Sequence, residues 1–127
     1  MFRTTRQKID DFRKGRERQT DADFIRECHL PSAPHAESVA LAVRRAAASI
    51  GLIDPLYIRA GDRCPGELEM LPLWDSMDWV MFILEIEEEL GVDIPDSEAE
   101  RITTRRDFSI RHCVHDVLGV VQQLQVG

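Results

Sequence analysis

Hydrophobic positions recur at helical spacing in three long stretches of the chain. From Glu37 to Ile50 the stripe is Val39, Val43, Ala46 and Ile50; Arg44 and Arg45 lie off it, and Gly51 is a natural stop. From Ser76 to Leu90, Trp79, Phe82, Ile83, Ile86 and Leu90 share one face, with Gly91 as the stop. Within Asp107 to Leu124 the stripe is Ile110, Val114, Val117, Leu118 and Val121. Between the last two, Ile94-Pro95 breaks the chain and Asp96 is placed to cap a short helix through about Arg101. Upstream, Thr20 can cap a turn opened by Asp21 and Asp23, in which Phe24, Ile25 and Cys28 share a face for docking on the bundle. Residues 1–20 are weakly patterned and fit either a solvated helix or a segment that orders on binding. Residues 52–74 form a long connection in which Asp54-Pro55 can open one short turn, and Ile53, Leu56 and Ile58 can cover the core. The pattern predicts an all-α fold: a small four-helix bundle, three main helices plus one short helix, with an extra N-terminal helical segment around 21–30.

The helix within MLPLWDSMDWVMFILEIEEELG carries a second apolar patch. Met77, Val80, Met81 and Leu84 fall away from the core stripe, with Glu85 and Glu88 beside them. A helix wrapped on all sides by its neighbours satisfies this pattern, and so does an exposed partner surface rimmed with acid. Glu87, Glu88 and Glu89 stand in the last turns, where the helix dipole disfavours anions by about 0.3–1 kcal/mol each. Glu85 adds like-charge neighbours at helical spacing. A helix tuned for stability alone would avoid this arrangement, so the acid is read as meeting something.

Composition narrows the class. The 127 residues are 43% hydrophobic and 31% charged, ordinary for one soluble domain. The net charge of −7 is uneven: the first twenty residues hold seven Lys and Arg against three acids, whereas residues 75–101 hold ten acids against Arg101 alone. Such an acidic stretch steers basic partners. No apolar run reaches the roughly 18 residues of a membrane span, and the basic start is followed by Asp10 and Asp11 rather than a signal-peptide core. Cys28, Cys64 and Cys113 are too few and odd in number for a disulfide framework, so a reducing, cytoplasmic setting is expected. Cys28-His29, Cys64 and His112-Cys113-His115 match no zinc spacing, and no metal site is expected. Neither a Gly-x-Ser-x-Gly elbow nor a phosphate-cradling glycine loop occurs. The basic N-terminus lacks the interleaved aromatics of a nucleic-acid grip and reads as a solvated tail or an intramolecular partner of the acidic helix.

Asp75-Ser76-Met77-Asp78 opens the acidic helix. Asp75 or Ser76 can cap it, and Asp78 suits the first turn. A serine here can equally hold a phosphate, because the free N–H groups of the first turn point at it. The run DSMDWVMFILEIEEELGVDIPDSEAERITT closely resembles the second helix, following loop and third helix of acyl carrier proteins, which have Asp-Ser-Leu, an acidic helix ending in Glu-Glu-Glu-Phe/Leu-Gly, then Ile-Pro-Asp. The resemblance covers about Glu37 to Leu124, is dense over 75–104, and divides the chain into a basic extension, 1–36, and a carrier domain, 37–127. It implies a bundle of acyl-carrier type, not an enzyme, in which a phosphopantetheinyl transferase attaches 4′-phosphopantetheine from coenzyme A to Ser76. The arm's thiol would then carry an acyl group as a thioester between enzymes of a fatty-acid, polyketide or related specialised pathway. Asp75, Met77 and Asp78 match the residues flanking the modified serine. Met77, Val80, Met81, Leu84, Glu85 and Glu88 lie where such carriers, as monomers, dock on basic patches of acyl-transferring or condensing enzymes.

The chain departs from the family in several places. Leu73-Trp74 replaces the small pair usual before Asp-Ser, Met77 replaces leucine, and Met81 stands where glutamate is common. The loop from Gly61 to Trp74 is longer than usual, and the N-terminal 36 residues have no family counterpart. These features suggest a dedicated or divergent carrier, and leave open a carrier-like interaction module that is never modified, as well as a peptidyl carrier.

Overall fold

The computed structural model describes residues 4–63, 68, 76–104 and 108–126, giving backbone alone at 76, 77, 125 and 126. Six α-helices follow in order: α1 Thr5–Arg13, α2 Asp21–Glu27, α3 Ala36–Gly51, α4 Ser76–Leu90, α5 Asp96–Thr103 and α6 Ile110–Val126, with a 3-10 turn at Pro55–Tyr57 between α3 and α4. Among the described residues there is no strand, only an isolated bridge between Arg63 and Ser109. No helix of the described residues is long and apolar enough to cross a membrane. The fold is therefore the expected all-α bundle, built from long α3, α4 and α6 and short α5, with two extra N-terminal helices.

The stripes face one core. Val39, Val43, Ala46 and Ile50 of α3 are buried, as are Phe82, Ile83 and Ile86 of α4 and Ile110, Val114, Val117, Leu118 and Val121 of α6. Trp79 and Leu90 are partly buried against the same cluster. α3 is the central element, touching α2, the 3-10 turn, α4 and α6. Trp79 lies edge-on to Phe82 and Phe108, at centroid distances of 5.8 and 4.8 Å. This aromatic corner joins the start of α4 to the entry of α6.

Three helix ends differ from the sequence reading. α3 includes Gly51, and Leu52 takes the left-handed conformation at φ 58°. Ile53 N–H reaches Ala48 O (3.0 Å) and Leu52 N–H reaches Ser49 O (3.3 Å), a Schellman closure that buries Ile53 and leaves Leu52 half exposed. Asp96 is the first residue of α5 rather than its cap. Pro95 holds the cap position, where its fixed φ fits and its missing N–H costs nothing, and no side chain caps this helix. α6 also runs past Leu124 to Val126.

The N-terminal segment is folded into the core. Thr4 and Gln7 form a reciprocal capping box that starts α1, a Thr-x-x-Gln signal the weak apolar pattern conceals. Thr20 caps α2 as expected, accepting from Asp23 N–H at 3.2 Å. Phe12, Phe24 and Cys28 join the central hydrophobic cluster. The segment's described bonds run to the crossover, to Arg44 of α3 and to Arg111 and His115 of α6. Arg16 forms a bidentate pair with Asp62 (2.7 and 3.0 Å) and covers the Phe12 ring at 4.0 Å. Burial of Phe12 and Phe24 draws the segment to that side. The crossover in turn meets α6: Ile110 N–H donates to Asp62 O and Arg111 N–H to Ala60 O, at 2.9 and 2.8 Å.

Arg44 overturns its off-stripe reading. It is fully buried, donating from Nε to Ile58 O (3.0 Å), from Nη2 to Gln19 O (2.9 Å) and Leu56 O (3.1 Å), and from Nη1 to Asp21 (2.8 Å). Its face covers the Phe24 ring at 4.5 Å. Burial lowers its pKa from the ordinary value, and the bond to Asp21 opposes that fall. Arg44→Met should therefore cost about 3–5 kcal/mol, because it leaves buried carbonyls without a donor. Arg45→Ala, which removes only an exposed pair with Glu89, should cost less than about 1 kcal/mol. Urea denaturation midpoints of the two variants check the difference.

Candidate functional site

α4 begins at Ser76, as the sequence predicts, and its first turn contains Asp78, which is partly buried. The first N–H groups of such a helix have no intrahelical acceptor and, with the dipole, favour an anion at Ser76. The side chains of Ser76 and Met77 and the whole of Asp75 lie outside the described residues, as do Cys64 and Leu73-Trp74.

The outer face of α4 is open. Val80, Met81 and Leu84 are 55, 46 and 50% exposed, so the helix is not wrapped on all sides. Glu88 is exposed beside them and Glu85 half-buried. The helix thus brings together every described member of the expected docking set.

The acids are disposed differently from the expectation that they meet something outside. Glu85 accepts the Ser49 hydroxyl at 3.0 Å, and Glu89 pairs with Arg45 at 2.8 Å, so α3 holds both. Glu87 accepts the N–H of Ile94 at 2.7 Å and fastens the loop that leads to α5. The spacing from Glu87 to Ile94 is the available signal, but it is intelligible only once the loop is seen to turn back.

Sequence reasoning missed a cleft of about 440 Å3 between α4 and α5. Trp79, Val80, Ile83 and Leu84 form one wall, Ile94, Ala99 and Thr103 the other, and Glu87, Asp96 and Glu100 supply its acids. A larger, more polar hollow of about 610 Å3 lies between α2 and α3, lined by Arg26, His29 and His35 among others, and includes no residue of α4.

The cysteines and histidines have other uses. Cys28 and Cys113 are buried, and no group of three His, Cys, Asp or Glu among the described residues could hold a metal ion. His115 Nε2 lies 2.7 Å from Cys28 O, and since a carbonyl only accepts, Nε2 carries the proton. Arg111 Nε donates to Glu27 O at 2.7 Å, so two α6 side chains close the carbonyl end of α2. Burial pushes the Cys28 thiol up to about 11, against the pull of Arg111 and Arg44. Burial raises Cys113 as well.

Three acyl carrier proteins are similar to part of this chain. The one from Rubrobacter xylanophilus is 49% identical over 41 residues, covering 30% of this chain and 51% of the relative. Those from Lactobacillus acidophilus and Thermosynechococcus vestitus are 58 and 54% identical over 33 residues, each covering 26% of this chain and 41% of the relative. The chain thus spans about half, or less, of the length of the curated relatives it matches. No family model and no solved structure matches.

Cys28 and Cys113 should resist iodoacetamide at about pH 8 in the native protein and react once urea unfolds it, with peptide mapping separating them from Cys64. Because the folded thiol of Cys28 titrates above its ordinary 9.0, its contribution to stability is present below that pH and falls as pH rises towards about 11. Chemical denaturation across that range, compared with Cys28→Ala, checks the sign.

Proposed function

We propose that this protein is an acyl carrier protein bearing 4′-phosphopantetheine on Ser76 and passing a thioester-bound acyl group between enzymes. The observation that carries the reading is the start of α4 at Ser76, directly before a helix that keeps Val80, Met81 and Leu84 in solvent. The partial identity to acyl carrier proteins supports it. The group fits the described chain: the N–H groups of Met77, Asp78 and Trp79 begin a 15-residue helix and suit a phosphate on the residue that opens it. When bound, the arm supplies the thiol that holds the acyl group. The chain's own residues carry and orient it, and α4 presents the partner-facing surface; no catalytic group is assigned.

In this reading residues 37–127 are the carrier domain, and 1–36 an extension that packs into the same core. The protein works as a monomer in the cytoplasm. Its partners are a phosphopantetheinyl transferase and acyl-transferring or condensing enzymes of a fatty-acid, polyketide or related specialised pathway. Asp75, Met77 and Asp78 flank the attachment point, and Met77, Val80, Met81, Leu84, Glu85 and Glu88 form the docking set.

Incubation with coenzyme A and a broad-specificity phosphopantetheinyl transferase should add one phosphopantetheine to the intact mass, and Ser76→Ala should abolish the gain. Folded protein left unmodified by broad and cognate transferases alike would favour an unmodified interaction module. Glu88→Lys should weaken capture by the transferase about two- to fivefold with an unchanged unfolding midpoint, as expected for one exposed charge. Unchanged capture would remove Glu88 from the docking set.

A further inference from the structure

Charge written in the sequence is not all charge offered to a partner. Of the α4 acids, Glu85, Glu87 and Glu89 are bonded to Ser49, Ile94 and Arg45. The side chains of Glu88, Asp96 and Glu100 form no hydrogen bond or ion pair among the described residues, and all three are exposed. Asp96 and Glu100 belong to α5 and stand across the cleft from Val80 and Leu84. No Lys, Arg or His is among the described residues that line this cleft. An apolar groove with uncompensated acid on one wall fits an apolar side chain flanked by cations.

We propose that, in the carrier of the preceding section, the docking surface is divided: α4 supplies its apolar half through Val80, Met81 and Leu84, while Asp96 and Glu100 of α5 supply most of its charge. The occupant is a partner element with an apolar projection and flanking Lys or Arg, seated over the α4–α5 cleft. Glu89, which fastens α4 to α3 through Arg45, leaves partner affinity almost unmoved. This inference rests on the carrier reading and assigns the chemistry of its partner.

The test is calorimetric binding of the Ser76→Ala protein, which cannot be modified, to a broad-specificity phosphopantetheinyl transferase with coenzyme A at low and high salt. In this background Asp96→Asn/Glu100→Gln should weaken binding about tenfold at low salt and flatten its salt dependence. Leu84→Gln should weaken it about tenfold at either salt, because the lost contact is apolar. Glu89→Gln should change affinity less than about twofold while slightly lowering the unfolding midpoint. The reverse order, with Glu89 decisive and the α5 pair silent, overturns the proposal. So does an unchanged affinity of Leu84→Gln; if the same change in a Ser76-bearing protein speeds hydrolysis of a loaded acyl thioester, the cleft belongs to the chain's own cargo. Wild-type protein that the transferase modifies although every variant binds alike sinks this proposal alone. Wild-type protein that is never modified removes the carrier reading first, and the proposal with it.

Discussion

The Arg44 guanidinium is fully buried within α3, and a cation so placed persists only when its N–H groups all find oxygen. α3 offers it none. Gln19 and Asp21 come from before the helix, and Leu56 and Ile58 from after it. One side chain therefore requires two chain segments to be in place together. The bond from Gln19 N–H to Leu56 O (2.8 Å) and the Arg16–Asp62 pair close the same ring from outside. Asp62 and Ala60 carry the connection on to α6 through their carbonyls. The basic N-terminal segment is consequently part of the core's electrostatics, a different status from that of a tail.

α4 depends on this arrangement through α3. The inner face of α4 packs on α3, and the two polar α3 residues nearest the seam, Arg45 and Ser49, take Glu89 and Glu85. Glu87 reaches the other way, to Ile94, and sets where α5 departs. About the last turn and a half of α4 is thus fixed by acid bonded within the chain. That rigidity is what leaves the outer face free to be apolar. A half-exposed patch at Val80, Met81 and Leu84 is costly on a mobile element, but on a fastened helix it is a stable surface.

The sequence made much of this legible, for a physical reason: helical periodicity reports burial directly. The stripes of α3, α4 and α6 and the bounds of α4 follow from spacing and from Gly91. Arg44 was not legible, because its acceptors are mostly backbone carbonyls, which carry no residue signature. The left-handed Leu52 escaped for a similar reason, since the preference for glycine there yields to the burial of Ile53. At the site, the outward patch was visible as one of two readings, and exposure separates them. The cleft against α5 was not visible, because its second wall is set by the angle of a short helix held by Glu87.

The glutamates at the end of α4 show how a cost inferred from sequence can be correct and still be assigned to the wrong cause. Anions in a last helical turn are disfavoured by the dipole, so their presence calls for compensation. A partner would provide it, but so do Ile94 N–H and the Arg45 guanidinium, which act within the chain. Compensation supplied locally removes those acids from the field that an approaching protein feels at short range. What remains on this side among the described residues is Glu88, Asp93, Asp96 and Glu100, all exposed and carried by the end of α4, the loop and α5. Long-range steering follows the total charge, whereas the final docked register follows these unpaired groups. The two can favour different parts of the same surface, and in the proposed docking the register is set along the α4–α5 cleft.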